Sequence, residues 1–96
     1  MTNFTVDRDT IQKYNEEVRG ATIRGVGTVS GISGHAVRRA VERSFTPERI
    51  KHILENYTIR YPGNSKQGTV NYMLGDEYVS VGNDSCIIAT VVRRDS

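Results

Sequence analysis

The hydrophobic periodicity of this chain changes once, at Tyr57, and that change constrains the fold more than any other feature of the sequence. Before it, apolar residues recur at intervals of three and four. After it come four short runs rich in β-branched and aromatic residues: Tyr57–Tyr61, Thr69–Leu74, Glu77–Val81 and Cys86–Arg93. Turn residues separate them, at Pro62-Gly63-Asn64-Ser65, Gly75-Asp76 and Gly82-Asn83-Asp84-Ser85. Connections this short cannot carry a crossover, so the four strands are expected to be antiparallel neighbours in a meander. Helices segregated from such a sheet make an α+β domain. The last run is apolar on both faces except at Thr90, which predicts a central or well-covered strand. A hydroxyl in that position is either satisfied within the fold or directed into a site on the sheet face.

Three helices are expected ahead of the meander. The first spans Asp7 to Arg19, with Ile11, Tyr14 and Val18 on one stripe, an aspartate cap and Gly20 as terminator. The segment 21–31 is interrupted by glycine too often for a regular helix and reads as a loop with at most a short extended piece. Its Gly25-Val26-Gly27 lacks the third glycine and the strand–turn–helix context of a dinucleotide fingerprint. Ser33 caps a second helix ending near Ser44, and Thr46-Pro47-Glu48 opens a third that runs to about Asn56. The third buries Ile50, Ile53 and Leu54, and leaves His52 structural or exposed.

Ninety-six residues bound the chain to one domain, here divided into an N-terminal helix and glycine-rich connection (1–31) and a core (32–96). At 36% hydrophobic and 25% charged it reads as a globular chain, with no apolar run long enough for a membrane helix. One cysteine, Cys86, leaves no intrachain disulfide and too little sulfur for a thiolate zinc site; no other metal-ligand spacing is visible and no cofactor is expected. Residues 1–5 lack a basic segment followed by an apolar one, so no signal peptide is expected. The chain is expected to work in a reducing compartment or as a piece of a larger exported protein. The net charge of +2 is unevenly spread: residues 20–70 carry eight lysines and arginines against three glutamates, and the flanks are acidic. A basic middle of this kind is the footprint of a polyanion-binding surface, RNA among the candidates.

The second helix gathers His35, Arg38, Arg39, Glu42 and Arg43 on one side and Ala36, Val37, Ala40 and Val41 on the other. An imidazole can move a proton near neutral pH, and guanidiniums can hold a phosphate. A serine hydrolase would need a strained nucleophile turn, which Gly31-Ile32-Ser33-Gly34 does not supply. Acid–base chemistry on a polyanion remains. RNA suits it, because its own 2′-hydroxyl is the nucleophile and the protein need only move protons and stabilise charge.

The order Gly34-His35-Ala36 at a helix start, an arginine four residues on, Ser-Phe-Thr-Pro-Glu into another helix, Tyr-Pro-Gly and a final Ile-Ile-Ala-Thr-Val-Val-Arg resembles toxin domains of the barnase, colicin D and RelE group. It looks most like the C-terminal ribonuclease toxin domains of contact-dependent growth inhibition and polymorphic toxin systems, over about residues 33–94. The resemblance implies three helices packed on a four-stranded antiparallel meander, and a metal-independent endoribonuclease that cuts tRNA or other RNA. Such a domain is delivered from a larger exported protein, acts in the target cell's cytoplasm and is blocked by a dedicated immunity protein, here expected to be acidic. It also implies roles: His35 as acid or base, Arg39 as phosphate contact with Arg38 as the competing choice, and Thr90 as hydroxyl donor on the last strand. Tyr72 and Arg93 are further candidates to line the site. Where some relatives carry a second base or an aromatic on the last strand this chain has Val91 and Val92, and Lys66 either fills part of that role or steers RNA. The alternative from another class is a non-catalytic RNA-binding or protein-interaction module, in which His35 would tolerate replacement.

Overall fold

In the computed structural model, which describes residues 7–63 and 68–94, each expected helix starts where its cap predicts. Helix α1 is Arg8–Val18, with the Asp7 carboxylate accepting from the Thr10 N–H at 2.8 Å. A small hairpin, β1 (Thr22–Ile23) and β2 (Gly27–Thr28), follows, and then β3 (Gly31–Ile32). Its turn passes through Gly25 at φ +73°, a conformation open to glycine and strained for other residues. The hairpin is pinned by Arg24: its guanidinium donates to the Tyr57 carbonyl at 2.5 Å and lies 4.6 Å from the Tyr57 ring centre, while the Tyr57 hydroxyl donates back to the Arg24 carbonyl at 2.6 Å.

Helix α2 is Gly34–Glu42, capped by Ser33, and α3 is Pro47–Asn56, capped by Thr46 with proline in the first turn, where its missing N–H costs nothing. Between them the chain reverses through Ser44 at φ +60°, and the Phe45 N–H returns to the Ala40 carbonyl at 2.8 Å. Phe45 is thereby driven fully into the core. The meander follows as β4 (Ile59–Pro62), β5 (Thr69–Leu74), β6 (Glu77–Gly82) and β7 (Ile87–Arg93).

The sheet differs from the expected four-stranded meander. Its order is β3-β7-β6-β5-β4, five strands, with β3 added parallel to β7 and the other pairs antiparallel. The hairpin β1-β2 forms a second sheet of its own. Two-residue strands show no alternation, so β3 had no sequence signature. It is held by tertiary partners instead: the Ile32 N–H donates to Asn15 Oδ1 of α1 at 3.0 Å, and the Ser33 N–H to the Ile88 carbonyl at 3.0 Å. With β3 outside it, β7 is an interior strand, as expected, while only its Ile88–Val91 face is buried in the core.

One face of the sheet is covered. Val37 and Ala40 of α2, Ile50, Ile53 and Leu54 of α3, and Tyr72, Val79, Ile88 and Val91 of the strands form a single core. Each large side chain fully buried there contributes roughly 1.5–3 kcal/mol relative to exposure. Among the described residues the side chains of the other sheet face lie outside this core.

Candidate functional site

Ser33 links two elements that the sequence keeps far apart. As the α2 cap its Oγ accepts from the Ala36 N–H at 3.0 Å, and its hydroxyl donates to the Ala89 carbonyl of β7 at 3.3 Å. Ala89 is the extra residue of a bulge: Ser80 pairs with Thr90 but Val81 pairs with Ile88. Bulges re-aim the neighbouring side chain, and this one sits directly before Thr90. The cap and the bulge together bring the start of α2, with His35, beside Thr90.

Both residues line one cleft of about 630 Å³ on the sheet face away from the core. Its floor is a cross-strand row, Asn71–Ser80–Thr90, in which each residue is the direct partner of the next, and Tyr61 of β4 pairs with Asn71 at the end of the row. The Ser80 hydroxyl donates to Asn71 Oδ1 in a short hydrogen bond, and both side chains are buried. One wall is Pro62-Gly63. A Cβ on Gly63 would lie 2.5 Å from Thr69 Oγ1 and 2.6 Å from Asn71 Oδ1, so only glycine lets the wall approach this closely. Tyr78 completes the lining beside Ser80. Among the described lining residues none is acidic, and the N-terminus of α2 adds the partial positive charge that favours an anion. The cleft can therefore offer a titratable imidazole, hydroxyls, an amide and a helix N-terminus to one bound group.

Among the described residues expected to act together, the fold brings only His35 and Thr90 to this cleft. Tyr72 is 3% exposed and points to the opposite face, since neighbours in a strand alternate and Asn71 takes the outward position. Its ring lies 5.0 Å from that of Tyr57, and burial pushes its hydroxyl above the usual tyrosine range against the opposing pull of Arg60. Arg39 is bound to Glu42 at 2.8 Å. Arg93 lies over the Phe45 ring and shares Glu77 with Arg49, away from the cleft. Arg38 is exposed and has no partner among the described residues. Arg43, counted on the helix's polar face, instead donates to the Val91 carbonyl at 2.6 Å. Lys66 lies outside the described residues.

Asn71, Ser80 and Tyr78 were missed by sequence reasoning. The signal was present in the alternation of Val70-Asn71-Tyr72 and Tyr78-Val79-Ser80, where polar groups mark the outward face. It needed the register to show that they meet. His52 is exposed, beside Asn56 on its own helix. No group of three or more His, Cys, Asp or Glu is placed to hold a metal among the described residues, and no described helix is long and apolar enough to cross a membrane. No family model, curated protein or solved structure matches the chain.

Proposed function

We propose that this domain is a metal-independent ribonuclease that cuts RNA by 2′-hydroxyl attack in the His35–Thr90 cleft. The observation that supports it most is the convergence of His35 and Thr90, joined by the Ser33–Ala89 hydrogen bond, at a helix N-terminus in an open cleft with no acidic residue among its described lining. In the reaction the 2′-oxygen bonds to phosphorus as the bond to the 5′-oxygen breaks. The 2′-proton passes to a base, and a proton is delivered to the leaving oxygen. The products are a 2′,3′-cyclic phosphate and a 5′-hydroxyl. His35 is the proton carrier, and the Thr90 hydroxyl and the α2 N-terminus stabilise the charged phosphoryl oxygens. Arg38 takes the phosphate-contact role in preference to Arg39, because Glu42 already holds Arg39.

The same reading makes the domain a growth-inhibiting toxin, released from an exported protein into a competitor's cytoplasm, with tRNA as a candidate target and an acidic immunity protein as inhibitor. The test is total RNA from cells induced to express the chain, run on a denaturing gel beside a His35→Ala control, with the purified domain assayed in a strong chelator. Cleavage that resists the chelator, leaves cyclic phosphate ends and needs His35 is expected. Intact RNA with the wild-type chain, or ends bearing a 3′-hydroxyl, would overturn the reading.

A further inference from the structure

The open face of an antiparallel sheet is normally polar. Here, beside the polar row of the cleft, a second cross-strand row runs Ile59–Met73–Tyr78–Val92. Tyr61 adjoins it, its ring centre 6.4 Å from that of Tyr78 at an interplanar angle of 62°. None of these five side chains belongs to the core, and Ile59 is 56% exposed. The aromatic strip and the cleft are continuous, because Tyr78 belongs to both. Tyr78 stands one strand over and two residues along from the level of Thr90, roughly 8 Å by the spacing and rise of antiparallel strands.

From this juxtaposition we infer that the Tyr61–Tyr78 face binds an unpaired nucleobase of the strand whose phosphate lies at His35 and Thr90, which makes the substrate single-stranded RNA. The inference rests on the ribonuclease reading for the position of the phosphate. A base offers a flat π-face to the tyrosines and hydrogen-bonding edges to the hydroxyls and amide next to them. Those faces are free only when the base is out of a duplex. The chain's positive charge suits a polyanionic strand.

The test uses a fluorescently labelled single-stranded DNA oligonucleotide, which lacks the 2′-hydroxyl and cannot be cut by this route. The same strand in a duplex, and one of abasic sugar-phosphates, serve as comparisons. The natural single strand should bind tightest. Tyr78→Ala and Tyr61→Ala should each weaken it about 5- to 100-fold, while Tyr78→Phe, which keeps the ring, should retain binding. Equal affinity for the abasic or the duplex probe would overturn the inference whether or not the variants fold. So would an affinity unchanged by either alanine variant. Binding that discriminates in this way while RNA stays uncut would uphold the base platform and remove the nuclease. Cutting of RNA by a protein indifferent to bases would do the reverse.

Discussion

Strands β6 and β7 carry two polar clusters, one at each end, and the two handle their polar groups in opposite ways. At the Glu77 end a nearly buried carboxylate is gripped from both sides. Arg49 donates to Oε1 at 2.5 and 2.6 Å, and Arg93 to Oε2 at 2.8 and 2.9 Å. Burial alone would raise the pKa of Glu77, but the two arginines outweigh it and hold the carboxyl below its usual range. At the other end Ser33, His35, Asn71, Ser80 and Thr90 face a cleft, with no ion pair among the described residues of its floor and the imidazole exposed. Charge is spent on architecture where the strands meet α3, and neutral hydrogen-bonding groups are left where a ligand can reach them. The same division runs through the basic middle of the chain. Arg24, Arg39, Arg43 and Arg49 all have partners within the fold, so the charge excess overstates the surface available to a polyanion.

The largest effect expected from breaking this contrast is at His35. His35→Ala should lower RNA cleavage about 10²- to 10⁴-fold, the usual worth of a general acid or base, with an unchanged melting temperature because the side chain is exposed. Cleavage rates and thermal melts on the same preparations check both halves. A variant that cuts normally would reduce the cleft to a surface feature.

Glu77→Gln should do the opposite, costing stability and sparing cleavage. The loss should be about 2 kcal/mol, below the full value for a buried charge because both arginines are partly exposed and can be resolvated. The sign of its pH dependence follows from the lowered pKa. The folded carboxylate binds protons less readily than the unfolded one, so its stabilisation is present above the unfolded value of about 4.3 and is lost as pH falls through the lower folded pKa. Denaturant melts of wild type and variant should therefore be well separated at neutral pH and converge on acidification. A gap that widened in acid would contradict the assignment.

Thr90→Val tests whether the cleft's hydroxyls act on the ligand or only on the fold. Among the described residues the Thr90 hydroxyl has no hydrogen-bond partner, and the residue is half-buried, so the change should lower turnover while shifting the melting temperature little. A large stability loss instead would place Thr90 with Ser80 and Asn71 as a structural hydrogen-bonder.

How much of this could be read from the sequence depended on whether a feature was local. Caps are local, and Asp7, Ser33 and Thr46 start their helices as their residue types predict. Turn chemistry is local too, and the meander from Ile59 to Arg93 follows it. The strand β3 was not legible, because two residues carry no period and its partners are Asn15 and Ile88, distant in sequence. The site divided along the same line. His35 stood out by its place at a helix start, and Thr90 as the lone hydroxyl in an apolar strand. Tyr72, a candidate to line the site, lies on the core face instead, against the Tyr57 ring, where the alternation that sends Asn71 outward puts it. Arg39 and Arg93 were expected at the site because a free guanidinium and one already bound to a carboxylate look alike in sequence.

That last ambiguity yields the smallest and sharpest test. Arg38 and Arg39 are adjacent and have the same charge, and among the described residues only Arg39 is tied to a partner, Glu42 at 2.8 Å. Arg38→Ala should weaken RNA binding several-fold, as loss of one phosphate contact does, and should make the affinity less dependent on salt by about one unit of logarithmic slope. Arg39→Ala should change both quantities less, and its loss of an exposed i,i+3 pair should cost at most about 0.5 kcal/mol. Titrations at several salt concentrations separate the two. If Arg39→Ala produced the larger change in slope, the Glu42 pair would have to open in the complex, and the partnered cations of the fold would be a reserve for binding rather than its fixed frame.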